Sequence, residues 1–491
     1  MVSPDPSNTI CLDGRTLEGG GQLVRNAVAL SALTGQAVAI HHIRGNREGK
    51  RGLKKSHLAG VSLLAEVSES EAKGAEVGSS SLHFFSQNQL PNGAPDSPQR
   101  HRLLSPKPIQ PEYNIHLPTA GSVFLVFQAL YPYLLYAGAS QARPIRLNLT
   151  GGTNVSHSPS YDYVSQVLAP NFGRLGLPRL EVQLRKRGWA TGPVDLGTVT
   201  LLVDPLDLPA SPAGIDEMAD GETAAEARPG PRFPSVDMGE HQRGAITKIA
   251  ITVLAPDKLV RPEEGANGRN KGSRRPDAWE EDQRSSHLKR DTTHDADADA
   301  DAAQPETVRQ FLQNETIAIL SERLNRLPAS LFDHKPSAQG VSNDPVPIAI
   351  HTSEQTHHLS HVYILLVAHT SNGFKLGRDA LFGVRAGRTA HSRAKKSKGK
   401  PGESRETNLR RQARRCVDGF IEELSSPAAP GSHKPCVDVY MRDQVVVFEA
   451  LGRVDQGPGK GDFITREDEK DWSLHTRTAR WVCEEVLGVR W

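Results

Sequence analysis

The chain has 491 residues, 37% of them hydrophobic and only 5% aromatic, with a formal net charge of +2. That is long enough for more than one compact unit, but the low apolar share implies that part of the length stays outside any core. A balance this close to neutral excludes binding of nucleic acid by bulk charge, so any such contact must come from local basic patches. From the N-terminus, Thr9–Asp13 reads as a strand. Gly20–Leu33 reads as a helix with Leu23, Ala27, Leu30 and Thr34 on one face and Gly35 as its stop. Ala37–Ile43 is a strand and Leu53–Val67 a second helix, with Ala75–Val77 and Leu82–Phe85 as a closing hairpin. The order then recurs. Asn114–Leu117 is a strand, Ser122–Tyr136 a helix, Ile145–Leu149 a strand, Ser160–Leu175 a helix, and Leu180–Arg185 and Thr198–Val203 are strands. Two copies of β-α-β-α-β-β predict an α/β fold with helices packed on sheet faces.

Beyond residue 204 the pattern breaks. Residues 204–240 are rich in Pro, Asp, Glu and Gly, and residues 256–306 are charged and Gly-rich, ending in DTTHDADADADAAQPE, a composition that predicts disorder. Between and after them stand a strand at Ala245–Leu254, a helix at Val308–Leu324, and strands at Val346–His351 and Val362–His369. The fold class expected is therefore α/β, with repeated β-α-β-α-β-β units forming a large domain and a small inserted βαββ domain. Residues 1–240 and 376–491 are assigned to the large domain and residues 241–375 to the insert. Residues 385–415 are strongly basic; they read as a solvated loop running into a helix, or as an RNA-binding or nuclear-import patch. Val437–Leu451 and Thr476–Val486 complete the helices.

The four cysteines, Cys11, Cys416, Cys436 and Cys483, form no CxxC pair, which favours a reducing compartment over a disulfide framework or zinc ribbon. MVSPDPSNTI lacks the character of a secretory leader, and Val123–Tyr136, interrupted by Gln128 and Pro132, is too short to span a bilayer. The expectation is a soluble intracellular protein without a membrane partner; oligomeric state is not legible. His351, His357, His358 and His361 read as surface histidines rather than metal ligands, because no cysteine or paired carboxylate accompanies them.

Chemistry concentrates first at Glu18, followed by Gly19-Gly20-Gly21, Gln22 and Arg25. Three glycines let a phosphate approach bare N–H groups at a helix N-terminus, a carboxylate there can hold a divalent cation, and an arginine one turn on can meet phosphate oxygens. The same residues also read as a Gly-rich turn with a surface arginine. The turn is neither a Walker A loop nor a dinucleotide fingerprint, and GPGKGD, Gly457–Asp462, lacks the hydroxyl a magnesium site needs.

LDGRTLEGGGQLVRNAVALSALTGQ, IRGNREGKRGLKKSHLAG, GSVFLVFQALYP, GGTNVSHSP, VDVYMRDQVVVFEAL and LHTRTA occur in this order. Together they resemble the signature segments of the RNA 3′-terminal phosphate cyclase family. The resemblance implies an ATP-dependent enzyme that converts an RNA 3′-phosphate to a 2′,3′-cyclic phosphate through an enzyme-histidine-AMP and an RNA-pp-A intermediate, using Mg2+ or Mn2+. It implies His475 as the nucleophile, Glu18 as the metal-binding carboxylate, and Pro132 and Tyr440 as the pair sandwiching adenine. Arg25, Asp443 and Gln444 then belong to the ATP site, and Arg44, Arg47 and His57 to the RNA phosphate. It also implies RNA 3′-phosphate ends and ATP as partners and, with the basic run, a nuclear location. The chain departs from the family in having Ser56 where many members carry Gln, an added residue between Arg47 and His57, and an acidic loop, Asp462–Asp471, before His475. Two other readings remain: a non-catalytic relative acting in ribosome biogenesis and pre-rRNA processing, and an RNA-binding scaffold using Arg385–Arg415.

Overall fold

A computed structural model describes residues 9–47, 49, 51–86, 103–141, 143–208, 230–260, 306–333, 344–382, 404–426, 434–454 and 473–491. Most of the segment expected to be disordered, GPGKGD, the acidic loop and much of the basic run lie outside these residues.

The first unit comprises β1 (Ile10–Asp13), α1 (Gly21–Thr34), β2 (Val38–His41), α2 (Lys55–Val67), β3 (Ser70–Lys73) and β4 (Leu82–Ser86). The second comprises β5 (Glu112–His116), α3 (Val123–Ala137), β6 (Ile145–Gly151), α4 (Tyr161–Tyr163), α5 (Ala169–Arg174), β7 (Leu180–Lys186) and β8 (Gly197–Val203), with a π-helical stretch, Val164–Leu168, joining α4 to α5. Their sheets have matching orders, β1-β2-β4-β3 and β5-β6-β8-β7. In each, the first pair is parallel and the other two antiparallel. The expected repeat is thus a repeat of topology. The hairpin differs in one strand: β3 lies at Ser70–Lys73 rather than Ala75–Val77. Its polar SEAK sequence suits a partly exposed edge, so periodicity did not mark it.

A third sheet, in the order β10-β9-β11-β12, holds β9 (Ile246–Ala255), β10 (Ile348–Gln355), β11 (Val362–Thr370) and β12 (Lys375–Phe382). α6 (Val308–Leu324) and α7 (Arg405–Ser425) cover one face. The insert therefore reaches beyond the boundary read at residue 375. β12 was missed because KLGRDALF is broken by glycine and charge. α7 joins the insert because Leu409, Ala413, Cys416, Phe420 and Leu424 form an apolar stripe buried in its core.

The larger core packs α1 against α3 and α9 (Leu474–Leu487), and α8 (Val439–Val454) against α9 and α3. α1 is buried along nearly its whole length, including Gln22, Arg25 and Asn26. α3 is apolar enough to cross a membrane by composition, but 78% of the Val123–Ser140 window is buried inside the protein. α9 starts two residues earlier than its apolar pattern suggested: Ser473 caps it, accepting from Thr476 N at 3.1 Å, so His475 falls within the first helical turn.

Candidate active site

The turn into α1 is built around Glu18. One carboxylate oxygen accepts Gly20 N at 2.7 Å and the other pairs with Arg47. Gly19 has φ +59, and a Cβ there would collide with the Gly14 carbonyl, so the turn needs glycine. At Gly21 the constraint is a close approach instead: a Cβ would strike His57 Nε2 and reach within 3.0 Å of Arg25 Nη1. Arg44 N donates to Gly19 O at 2.9 Å, with Arg44 itself at φ +61, a conformation that costs energy in a non-glycine residue.

The arginines collect around this turn. Burial lowers the Arg25 pKa to about 10 against the opposing pull of Asp443, leaving a charged guanidinium in a dry setting. Burial, reinforced by Arg25, Lys54, Arg44 and Arg47, lowers His57 to about 3. His57 is therefore neutral near pH 7. Its Nδ1 accepts Lys54 N at 3.3 Å, which leaves the proton on Nε2, the nitrogen facing Gly21. Glu18, Arg25, Arg44, Arg47 and His57, read separately along the sequence, thus share one recess, and every neutral or cationic member presents N–H donors.

The far end of the chain closes that recess. Thr478 Oγ1, one turn after His475, accepts Glu18 N at 3.2 Å, and Gln22 Nε2 donates to Asp443 O at 3.3 Å. α8 and α9 are tied to the glycine turn by these two bonds. Asp443 is buried; burial raises its pKa, while Gln444, His475, Arg25 and Gln22 favour its anion. His475 keeps an exposed face, yet the surrounding protein lowers its pKa, with Asp443 opposing and Arg47 and Arg25 reinforcing. The N-terminus of α9 also disfavours the imidazolium. An accessible, neutral imidazole beside a carboxyl group and a cluster of arginines can attack a phosphate whose charge those arginines hold.

Pro132, inside α3, lines a narrow cavity with Asn26, Gln128, Tyr131, Asp443 and Gln444. Asn26 Nδ2, Gln128 Oε1, Tyr131 Oη and Asp443 Oδ1 are buried there without a protein hydrogen-bond partner. Tyr440 stands one turn before Gln444 on α8 and is 42% exposed, open to a stacking partner. The Arg378 guanidinium lies 5.1 Å from its ring centroid and Tyr163 meets it edge-on at 6.4 Å. Burial raises the Tyr440 hydroxyl to about 12, with Arg378 pulling the other way. Asp438 fixes the start of α8, accepting Tyr440 N and Met441 N at 3.0 Å and Gly377 N of β12 at 2.7 Å.

Sequence reasoning named Gln22 beside the glycines without giving it a role, and did not find Asn26, Thr478 or Arg378. Gln22 and Asn26 carried a signal, being polar residues four apart in an otherwise apolar helix. Arg378 carried none. The histidines of the insert divide differently from expectation. His361 is buried, stacked on Trp189 at 4.8 Å with Nε2 3.0 Å from Thr191 O, whereas His351 and His357 are exposed. Among the described residues no three His, Cys, Asp or Glu side chains cluster as a metal site.

A profile described as RNA 3′-terminal phosphate cyclase matches residues 16–491. The RNA 3′-terminal phosphate cyclase of Thermococcus gammatolerans is 40% identical over 194 residues, 40% of this chain and 48% of that protein. That of Koribacter versatilis is 34% identical over 204 residues, 42% of this chain and 50% of its own length. The probable RNA 3′-terminal phosphate cyclase of Dictyostelium discoideum is 34% identical over 204 residues, 42% of each chain. The chain spans about half the length of the curated relatives it matches. With a profile match that runs through both the glycine turn and the His475 helix, the chain belongs to the RNA 3′-terminal phosphate cyclase family.

Proposed function

We propose that this chain is an active cyclase, converting an RNA 3′-terminal phosphate to a 2′,3′-cyclic phosphate at the expense of ATP. The observation that carries the reading is the joining of His475 and its helix to the Glu18–Gly21 turn, through the bond from Glu18 N to Thr478 Oγ1. A relic of the site would have no need to keep a neutral, reachable imidazole beside Asp443 and four cationic or N–H-donating side chains.

In this reading His475 attacks the α-phosphate of ATP; an N–P bond forms and pyrophosphate leaves. An oxygen of the RNA 3′-phosphate then attacks that phosphorus, the N–P bond breaks, and the RNA end carries AMP. The neighbouring 2′-hydroxyl attacks the 3′-phosphorus, AMP departs, and the cyclic ester remains. Adenylylation is needed because a bare terminal phosphate oxygen is a poor leaving group. Arg25 and the open N–H groups of the turn hold phosphate charge as it moves, and Arg44, Arg47 and His57 Nε2 face the RNA phosphate. Adenine stacks between Pro132 and Tyr440, with Gln444 beside them. Asp443 orients His475 and steadies its charge after attack.

The donor set suits a divalent cation held by Glu18 together with phosphate oxygens and water, the sparse pattern Mg2+ favours. Such an ion, Mg2+ or Mn2+, would supply charge neutralisation at the transferring phosphate. Arg47 would then exchange its carboxylate partner for substrate. A nuclear location is proposed on the basic run alone.

The purified chain incubated with divalent metal and ATP labelled in its α-phosphate is expected to form an acid-labile protein–AMP adduct, and His475→Ala to remove it. An adduct that survives the substitution would refute the nucleophile. No adduct under any metal condition would favour a non-catalytic assembly factor.

A further inference from the structure

Two lysines flank a neutral histidine across the third sheet. β11 lies between β9 and β12, and His369 stands directly opposite Lys248 on one side and Lys375 on the other. His369 Nδ1 is 3.4 Å from Lys375 Nζ. Strand alternation puts His369 on the face of Leu365 and Val367, Lys248 on that of Ala250, and Lys375 on that of Leu381, all of which pack on the larger core. The row therefore stands at the end of the sheet face turned toward α5. There Asn171 grips the Lys375 backbone, donating to its O at 2.8 Å and accepting its N at 2.9 Å. Arg174, exposed on the same helix, adds a further cation 5.9 Å from the Phe374 ring.

His369 is neutral near pH 7 and its Nδ1 accepts from the Lys375 ammonium, which leaves Lys248 and Lys375 as the charged groups of the row. Among the described residues no carboxylate forms an ion pair with Lys248, His369 or Lys375. Burial is the main cause that lowers the proton affinities of His369 and Lys375. Burial, then Lys375, Lys248 and His351, lowers His369 to about 4; burial, then Lys248, lowers Lys375. Nothing in the packing requires this arrangement, because Lys248 is exposed and both other side chains remain reachable. An anion would supply the counter-charge that Lys248 and Lys375 lack among the described residues. Strands about 4.8 Å apart spread the row over roughly 10 Å, a span that suits a chain of phosphodiesters better than one phosphate.

We propose that Lys248, His369 and Lys375, with Arg174 beside them, form a binding track for the RNA phosphodiester backbone upstream of the reacting 3′ end. The identity of the ligand as RNA rests on the cyclase reading; the track itself rests on the sheet. The cations grip charge and not sequence, so the track adds affinity for longer RNA without choosing among bases.

The test uses the full chain and its K248Q/K375Q double variant, with a fluorescent 3′-phosphorylated RNA of about 20 nucleotides read by anisotropy across a salt series. Removing two phosphate contacts to single-stranded RNA should make the slope of log affinity against log salt shallower by about 1.4 and weaken binding about 25-fold at about 0.1 M salt. Adduct formation with ATP alone should be unchanged. Equal affinity and equal slope would overturn the track. So would a parallel loss of adduct formation, which would trace the effect to the fold. If the parent chain forms no adduct yet the double variant still loses RNA affinity, the cyclase reading fails and the track stands. If the adduct forms and RNA binding ignores the lysines, the track fails alone.

Discussion

Gly419→Ala should impair use of ATP without destabilising the protein. Gly419 is a buried position inside α7, where a Cβ would sit 2.8 Å from Arg378 Nη2 and 2.9 Å from its Cζ and Nε. The obstructing atoms are the end of a flexible side chain, so the guanidinium can move aside at little cost. In moving it leaves the face of Tyr440, where it lies 5.1 Å from the ring centroid. Alanine in a helix interior gains about 0.5–1 kcal/mol over glycine, and a partly exposed cation–π contact is worth about the same. Net stability should therefore stay within about 0.5 kcal/mol. The proposed stacking platform for adenine loses its ordering cation, worth about 1 kcal/mol, or roughly a fivefold rise in KM for ATP with kcat unchanged. Adduct formation measured against ATP concentration, beside a denaturant titration, separates these outcomes. Arg378→Ala should give the same KM, and the double variant no more than either alone, because both act on one contact. An unchanged KM in all three would refute the claim that the insert holds Tyr440 for nucleotide.

Other expectations follow from the same geometry. The His475 pKa lies below its usual 6.5, so the proposed nucleophile stays neutral at lower pH; the acid limb of adduct formation should fall below pH 6.5. Asp443→Asn removes a raising influence and should move that limb lower still while slowing the step, as a pH–rate profile will read. Gly21→Ala drives a methyl group against His57 Nε2 and Arg25 Nη1 and should cost about 1–3 kcal/mol by denaturation and slow cyclisation by at least about tenfold. Arg442→Met strands Glu449, whose Oε2 lies 2.7 Å from Arg442 Nη1 in a buried pair, and should cost about 3–5 kcal/mol.

The fold was legible where a segment's apolar pattern agreed with its place. α1, α3 and the strands of the two β-α-β-α-β-β units other than β3 follow from their apolar residues, which gather in one core. Reading failed where a residue's reason lies in another element. β12 looks too polar for a strand until Asp379 is seen to accept from Tyr363 Oη at 3.1 Å and Gly377 N to donate to Asp438. α7 looks like the end of a basic loop until its apolar stripe is set against α6 and β12.

The site divides along the same line. Glu18, the glycines and Arg25 are close in sequence, and the chemistry of a turn is local, so spacing alone brought them forward. His475 is one of 19 histidines, and no local pattern separates it from the others. Burial by the surrounding protein, Arg47 and Arg25 favour its neutral form against the pull of Asp443, and none of these is a neighbour in the chain. Only the resemblance selected it, and only the folded chain supplies a physical reason for the selection. The same holds more strongly for Arg378 and Lys375 of the insert. Three residues apart on one strand, they sit respectively under Tyr440 and beside His369. A single edge strand thus bears on both the proposed nucleotide platform and the proposed RNA track. The insert is in that case a working part of the site, and Arg378 and Lys375 substitutions should divide cleanly, the first changing ATP dependence and the second RNA dependence.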